Sequence, residues 1–262
     1  MNMSVNLEEL KKIICESGDM LLKATLTAEQ IGSKSSRKDL VTKYDIEIQE
    51  FLKSRFKENW PDYHFLGEEQ DEHTYWKDGF LVDPIDGTAN FVFGIPHYCI
   101  SVAVLKGGKV IQGVVFNPVV NELYWAELGQ GAYLNGDLLI NPDRSLSDTV
   151  VGFGCPYDPS GNEPTGRLIS KILQVSDVRR LGSAALDLCY IASGCQGGYF
   201  EFSIKPWDIA AGMLIAREAG ATVTTIDGKE PPLNRTMSIL AGGSKVYSEL
   251  KKLLEGILMK SL

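Results

Sequence analysis

The chain contains little histidine and no closely spaced cysteine pairs. Its three histidines are scattered at positions 64, 73 and 97, and none of its five cysteines forms a Cys-x-x-Cys pair. An odd number of cysteines without paired spacing argues against a disulfide framework and against a cysteine-based zinc site. Scattered histidines argue equally against a histidine-rich metal site.

Long apolar runs and basic runs are also missing. No stretch approaches the ~20 apolar residues that a membrane-spanning helix needs. Lys and Arg total 26 against 34 Asp and Glu, a formal net charge of −8. The first ten residues carry Glu8 and Glu9 and lack the cationic-then-apolar pattern of an export signal. We therefore expect a cytoplasmic protein without membrane association or general nucleic-acid binding.

Composition and length indicate one globular unit. The 262 residues are 44% apolar and 23% charged, which is ordinary for a protein with a sizeable core. No repeat, low-complexity tract or Pro/Ser-rich linker interrupts the chain. We predict a single catalytic domain over residues 1–262, with a possible subdomain seam near residue 143 that separates 1–143 from 144–262.

Hydrophobic periodicity predicts helices and strands in a definite order. Helical spacing is found near both ends of the chain and strand-like runs in the middle, with Gly107-Gly108 a hairpin signal. The predicted helices are 7–21, 42–59, 182–193, 208–220 and 245–258, and the predicted strands are 80–82, 100–105, 110–116 and 123–126. The second half, from about Asn141, is predicted to be mainly helical. This order favours a layered α/β arrangement with a mixed or antiparallel sheet.

The segment 81–90, Leu-Val-Asp-Pro-Ile-Asp-Gly-Thr-Ala-Asn, carries most of the chemistry. Asp83 and Asp86 lie where an apolar strand turns, so they can converge on one cation, whereas neighbours on a regular strand face opposite ways. The carbonyl of Ile85 is a further oxygen ligand of the kind that Mg²⁺ prefers. The amides of Gly87 and Thr88, if they begin a helix, would bind an anion. Cation ligands beside an anion site indicate phosphate chemistry; two ordinary Asp-Pro and Asp-Gly turns are the alternative.

Acids elsewhere could complete such a site. Glu68 and Glu69 follow the apolar pair Phe65-Leu66, so only one of them should face the site; a solvated acidic loop is the alternative. Asp208 stands where a helix is predicted to begin. It can serve as a helix N-cap, and an N-cap acid can still ligate a metal.

These motifs together resemble the inositol monophosphatase family, within the metal-dependent, lithium-sensitive phosphatase superfamily. Asp83 to Thr88 followed by Asn90-Phe91 matches the first family signature. Trp207 to Gly212 followed by Glu218-Ala-Gly220 matches the second, and Gly67-Glu68-Glu69 precedes both. The resemblance runs from Lys34 to the last helix and implies a five-layer αβαβα sandwich, usually as a homodimer.

The resemblance also implies a role for individual residues. Glu68, Asp83 and the Ile85 carbonyl would hold a first Mg²⁺, and Asp83, Asp86 and Asp208 a second, with a weaker third ion near Glu68. Asp45 would pair with Thr88 to activate the attacking water. The implied catalytic residues are thus Asp45, Glu68 and Thr88.

The resemblance also implies substrate contacts. The matching positions are Asp86, Gly87, Thr88, Gly182, Ala184 and Glu201. Glu201 would accept hydrogen bonds from sugar or cyclitol hydroxyls. Lys34 matches a mobile-loop lysine near the metals, and Arg179 and Arg180 could either contact a charged group of the substrate or pair with acids. The role of the segment 155–163 is left open.

The implied reaction is hydrolysis of inositol monophosphate with Mg²⁺, in which two ions about 3.5–4 Å apart clamp the attacking and leaving oxygens. The alternatives are a fructose-1,6-bisphosphatase or dual-activity sugar phosphatase, a 3′-phosphoadenosine nucleotidase and a histidinol phosphatase. Nucleotidases of the superfamily tend to carry Lys-Glu-Phe where this chain has Ala89-Asn-Phe91. A haloacid dehalogenase-like enzyme would require Asp-x-Asp rather than Asp-x-x-Asp. A protein-binding role is a further alternative, since some bacterial family members bind transcription machinery.

Overall fold

Two β-sheets face each other across a pair of helices in the computed structural model, which describes residues 4–34, 39–70, 74–155 and 162–258. The described helices, in chain order, are α1 (Leu7–Leu22), α2 (Lys43–Asn59), α3 (Thr88–Val92), α4 (Asn162–Ile172), α5 (Ala184–Ser193), α6 (Pro206–Glu218) and α7 (Ser244–Leu258). None of the described helices combines the length and the apolar character that crossing a membrane requires.

The first sheet has seven strands. In spatial order it consists of β3 (His64–Gly67), β4 (Gly79–Asp86), β5 (Cys99–Lys106), β6 (Lys109–Asn117), β7 (Glu122–Glu127), β8 (Ala132–Leu134) and β9 (Asp137–Leu139). Strands β3 and β4 pair in parallel, and the other neighbours are antiparallel. A small ribbon of β1 (Ile31–Ser33) and β2 (Leu40–Thr42) precedes it. The predicted strands of the first half are therefore confirmed.

The second sheet has five strands. Its spatial order is β11 (Asp177–Arg179), β10 (Val150–Phe153), β12 (Gly198–Ile204), β14 (Met237–Gly242) and β13 (Thr222–Thr224). The helices predicted for the second half are present as α5, α6 and α7, but this sheet was not predicted. Three of these strands have only three or four residues, too few for an alternating pattern to stand out among the flanking helices.

Three apolar cores separate the layers. Helices α1 and α2 pack on one face of the first sheet, through residues such as Ile14, Leu52 and Val102. Helices α5 and α6 fill the space between the sheets, and α4 and α7 cover the outer face of the second sheet. The order α, β, α, β, α confirms the expected five-layer sandwich.

Local capping explains where the helices beside the site begin. Thr42 caps α2, and its backbone N–H and hydroxyl both donate to Asp45 Oδ2. Ser183 caps α5, its hydroxyl accepting from Leu186 N–H. Helix α6 begins at Pro206, two residues before the predicted start, because Pro suits the first turn. Asp208 is therefore a first-turn acid of α6 rather than its N-cap residue.

Candidate active site

A bulge at the end of β4 turns two aspartates to the same face of the sheet. Asp83 pairs with Ser101 and Asp86 with Cys99, so a step of three residues in β4 faces a step of two in β5. The extra residue reverses the alternation of side chains, which would otherwise put the two acids on opposite faces. The N–H of Ile85 donates to Asp83 Oδ1 over 3.0 Å and stabilises the bend. Both carboxylates thus face the helix layer between the sheets.

Three carboxylates from distant parts of the chain meet beside this bulge. Oxygen atoms of Glu68, Asp83 and Asp208 lie within 4.8 Å of one another. Glu68 follows β3, and its N–H donates to Val82 O over 3.1 Å, which aligns it with β4. Asp208 lies in the first turn of α6, where its Oδ2 accepts from Lys205 N–H over 3.1 Å. We call these three residues the carboxylate cluster.

The electrostatics of the carboxylate cluster suit a divalent cation. Burial, followed by the charges of Glu68 and Asp86, raises the pKa of Asp83 and of Asp208 well above its usual value. A pKa raised in this way indicates that the ionised carboxylates have too little positive charge nearby to balance them. Oxygen-only ligands around such a site are what Mg²⁺ prefers, so the residues fit the expected metal.

Asp86 lies next to the carboxylate cluster but is anchored differently. Its Oδ2 accepts from the Ser183 hydroxyl and from the Ala185 N–H, each over 2.7 Å. Burial raises its pKa to about 6, although these hydrogen bonds oppose the rise. Because one oxygen is held by the start of α5, Asp86 links the metal side of the cavity to the helix that carries Ala184.

Asp45 and Thr88 form the pair that sequence resemblance assigns to water activation. The Thr88 hydroxyl lies 3.0 Å from Asp45 Oδ1 and 2.9 Å from the Ile85 carbonyl oxygen. Burial raises the pKa of Asp45 to about 6, despite hydrogen bonds from Thr42 and Thr88. A carboxylate with a pKa close to neutral can accept a proton during the reaction.

Lys34 contacts the carboxylate cluster from the β1–β2 ribbon. Its ammonium lies 2.6 Å from Glu68 Oε1 and also contacts Glu69. Burial alone would lower the pKa of Lys34, but Glu68 and Glu69 raise it, so the ammonium keeps its charge. Both glutamates accept from Lys34, but of the two only Glu68 belongs to the described cavity lining, as expected if one of them faces the site.

The cavity above these residues has a volume of about 450 Å³, within the range typical of small-molecule sites. All ten of the proposed metal and substrate positions line it together: Glu68, Asp83, Ile85, Asp86, Gly87, Thr88, Gly182, Ala184, Glu201 and Asp208. Gly182 has φ +88°, a conformation that favours glycine, and Asn90 Nδ2 donates to the neighbouring Leu181 carbonyl. The first signature therefore also holds the loop that leads into α5.

Glu201 lines the same cavity as the carboxylate cluster. The hydroxyl of buried Tyr199 donates to its Oε2 over 2.6 Å. A Cβ atom at Gly154 would lie 2.0 Å from the same oxygen, so glycine is needed there. Burial raises the pKa of Glu201 to about 7, although Tyr199 lowers it. One carboxylate oxygen is thus held by protein, which leaves the other for a ligand hydroxyl.

The structure separates the two arginines and adds cavity residues that the sequence analysis missed. Arg180 lines the cavity, whereas Arg179 lies 3.8 Å from Asp177 on the exposed edge of β11, the alternative of pairing with an acid. Tyr199 and buried Asp187 also line the cavity and carried no motif. Tyr199 could have been found from Glu201, since residues two apart on a strand share a face. Of the segment 155–163, residues 156–161 lie outside the described residues.

Replacing Tyr199 by phenylalanine should weaken the substrate site without affecting the metal site. Loss of a charge-assisted hydrogen bond should raise the pKa of Glu201 further and reduce its ionised fraction at pH 7. We expect KM to rise about five- to tenfold at pH 7 with kcat changed less than twofold, from a bond contribution of about 1–1.5 kcal/mol. Because the ionised carboxylate is the stronger acceptor for a hydroxyl, the excess in KM should shrink above pH 8. A KM ratio that is constant from pH 6 to 9 would contradict this role.

Comparison with known proteins places the chain in a family. Residues 6–259 match the profile of the Inositol monophosphatase family. An inositol-1-monophosphatase of Rhizobium meliloti is 39% identical over 224 residues, which cover 83% of each chain. A Nus factor SuhB of Vibrio cholerae is 38% identical over 223 residues, covering 81% of this chain and 82% of the relative.

Solved structures of related proteins superpose on nearly the whole chain. An IMPase of Thermotoga maritima superposes with a TM-score of 0.88 at 31% identity, covering 97% of this chain and 98% of the other. A structure described as an IMPase/NADP phosphatase complexed with Mg²⁺ and phosphate has a TM-score of 0.79 at 27% identity, covering 94% and 91%. The layered fold and the acidic cavity are those of a metal-dependent phosphatase. The chain belongs to the inositol monophosphatase family.

Proposed function

We propose that the protein hydrolyses inositol monophosphate to inositol and phosphate in a reaction that depends on Mg²⁺. The observation that carries the proposal is one cavity with three parts: the carboxylate cluster, the Asp45–Thr88 pair and the hydroxyl-accepting Glu201. A phosphate group would lie between the first two, and the polyol ring would extend toward the third.

The metal would be held by Glu68, Asp83, the Ile85 carbonyl, Asp86 and Asp208, as two to three ions. When bound, Mg²⁺ would polarise the phosphoryl group, neutralise developing negative charge and make water a better nucleophile. The raised pKa values of Asp83 and Asp208 support this proposal. The related structure described with Mg²⁺ and phosphate supports the choice of ion.

Proton transfer would use the Asp45–Thr88 pair. The Thr88 hydroxyl can donate to Asp45 Oδ1, which leaves its oxygen lone pairs free to orient the attacking water. Asp45 would take up the proton that this water loses, as its pKa of about 6 allows. No covalent intermediate with the protein is required, since Asp83, the sole candidate nucleophile of the haloacid dehalogenase alternative, belongs to the carboxylate cluster.

Recognition of the polyol would depend on hydrogen-bond acceptors. Glu201 offers a carboxylate oxygen to ring hydroxyls, while Gly182, Ala184 and Gly87 leave room beside it. A carboxylate attracts hydroxyl donors and repels a phosphate, so the presence of Glu201 favours a monophosphate with several hydroxyls over fructose-1,6-bisphosphate or an adenosine bisphosphate. Arg180 and Lys205 also line the cavity, and Arg180 lowers the pKa of Glu201.

Phosphate release from a panel of esters tests the proposal. At a saturating Mg²⁺ concentration, inositol 1-phosphate should give the highest kcat/KM. The other compounds would be fructose 1,6-bisphosphate, 3′-phosphoadenosine 5′-phosphate, histidinol phosphate and NADP. Glu68→Gln, measured in parallel, should lose at least ~100-fold with every substrate. A preference for any other ester would overturn the proposed substrate, and activity that survives Glu68→Gln would overturn the proposed metal site.

A regulatory role is the second candidate, because a 38% identical relative is named Nus factor SuhB. Complementation separates the two: in a host dependent on this protein, a metal-site variant that restores growth would favour protein binding.

We further propose that residues 1–262 act as one catalytic domain in the cytoplasm, that lithium inhibits the enzyme and that it forms a homodimer. Exposed Phe93 and Ile95 beside the first signature support an interface, which light scattering would test.

A further inference from the structure

A buried glutamine on α2 holds the loop that carries Glu68. Gln49 is 2% exposed and lies outside every motif discussed above. We propose that Gln49 is a positioning residue that fixes the Glu68 carboxylate for metal binding. The inference rests on the proposed metal-dependent function and extends it to a residue that touches neither metal nor substrate.

The side-chain amide of Gln49 binds both backbone groups of one residue. The N–H of Glu69 donates to Gln49 Oε1 over 2.8 Å, and Gln49 Nε2 donates to the Glu69 carbonyl over 3.1 Å. Two bonds in opposite directions fix both the position and the orientation of this peptide segment, as a neighbouring strand would. The loop just beyond the end of β3 is therefore held by a side chain.

Glu68 is clamped between this amide and the sheet. Its own N–H donates to Val82 O over 3.1 Å, and the next residue is bound by Gln49. At the preceding residue, a Cβ atom on Gly67 would lie 2.1 Å from Gln49 Oε1, so the glutamine approaches the backbone as closely as glycine permits. With its backbone fixed on both sides, the Glu68 side chain has few directions left, and one of them reaches Asp83 and Asp208.

Helix α2 thereby connects the two halves of the reaction centre. Gln49 follows Asp45 by four residues, so the two side chains lie on one face of the helix. Asp45 binds the Thr88 hydroxyl over 3.0 Å, while Gln49 binds the Glu68 loop. One rigid element therefore sets the spacing between the water-activating pair and a metal ligand.

An amide is the group that this position requires. It must donate to a carbonyl and accept from an N–H, which a carboxylate cannot do at neutral pH. A carboxylate would also place an uncompensated negative charge at a buried position one helical turn from Asp45. A neutral side chain avoids this cost.

Titration calorimetry with Mg²⁺ tests the proposal on the full chain. Gln49→Met keeps the volume and removes both bonds, and Gln49→Glu keeps the acceptor only. For both variants we expect the Mg²⁺ dissociation constant to rise about tenfold or more, as is usual when the partner of a metal ligand is lost. In activity assays the half-saturating Mg²⁺ concentration should rise equally, whereas kcat at saturating Mg²⁺ and KM for the ester should stay within about twofold, since the carboxylates themselves are intact.

Gln112→Met is the matched control. Gln112 is also a buried glutamine, 3% exposed, and its Nε2 donates to Val5 O over 3.1 Å and to Glu127 Oε1 over 3.2 Å, neither of which lines the cavity. Both methionine variants should melt at lower temperature, but only Gln49→Met should bind Mg²⁺ more weakly. Equal Mg²⁺ affinity in wild type and Gln49→Met would overturn the inference. Absence of Mg²⁺ binding by the wild type would instead overturn the proposed function.

Discussion

Replacing Asp83 by asparagine is expected to lower kcat/KM at least ~1,000-fold without destabilising the metal-free protein. The activity loss follows because Asp83 lies in the centre of the carboxylate cluster, and a metal contribution of about 4 kcal/mol corresponds to this factor. Stability should not fall, since Asp83 is buried among like charges that raise its pKa. An amide of the same shape removes that repulsion. Phosphate release and thermal melting in chelator measure the two effects.

Asp187→Asn serves as the control for Asp83→Asn. Asp187 is equally buried in the cavity wall, but its Oδ1 accepts from Gln196 Nε2 over 3.0 Å and it lies outside the carboxylate cluster. This variant should bind Mg²⁺ as the wild type does. An Asp83→Asn protein that retains more than a tenth of the wild-type activity would argue against the metal site. One that melts well below the wild type in chelator would argue against the repulsion.

Mg²⁺ should raise the melting temperature, and more so at pH 8 than at pH 5. At about 100 times the dissociation constant, binding adds ~2.7 kcal/mol, or roughly 5–10 °C for a domain of this size. The pKa values of Asp45 and Asp86 are raised to about 6, above those of the unfolded chain. Such groups contribute stability that is complete below pH ~4 and is lost as the pH rises through 6. Cations favour the ionised forms and offset this loss.

Differential scanning calorimetry at pH 5, 6.5 and 8, in chelator and in excess Mg²⁺, measures this effect. In the wild type, the difference between the melting temperatures in Mg²⁺ and in chelator should widen steadily with pH. In Asp83→Asn this difference should be smaller than in the wild type at each pH. Equal melting temperatures in chelator and Mg²⁺ at pH 8 would contradict the proposal that the carboxylates bind the ion. A gap that narrows with pH would contradict the assignment of their raised pKa values.

The elements of the first half could be predicted because their patterns are long. Strands β4, β5 and β6 have eight or nine residues and are covered by helices on both faces, so they read as continuous apolar runs. The strands of the second sheet are shorter and pair across long stretches of chain, as β12 does with β10 and β14. Nothing local marks such pairing, and the second sheet was missed for that reason.

The residues of the site also divide into those that the sequence predicted and those that it missed. Asp83, Asp86, Glu68 and Asp208 could be proposed because two signatures and a family resemblance pointed to them. Gln49 and Asp187 could not, since the partner of each is brought near only by folding, whereas Tyr199 could have been found from its spacing to Glu201. Gln49 and Glu69 are 20 residues apart, and their two hydrogen bonds depend on how α2 packs against the first sheet.

The sequence by itself determined the chemical type of this protein: acids at strand and helix ends, glycines where the backbone must turn, and no sulfur or imidazole cluster to bind another metal. The tertiary structure alone decided which acids share a cavity and which of their oxygens are not already bound by the protein. It also decided which neutral side chains hold these acids in position. The reason is physical. Residue chemistry is a local property that can be read along the chain, whereas charge repulsion, burial and hydrogen-bond direction depend on distances that exist only after the layers have packed.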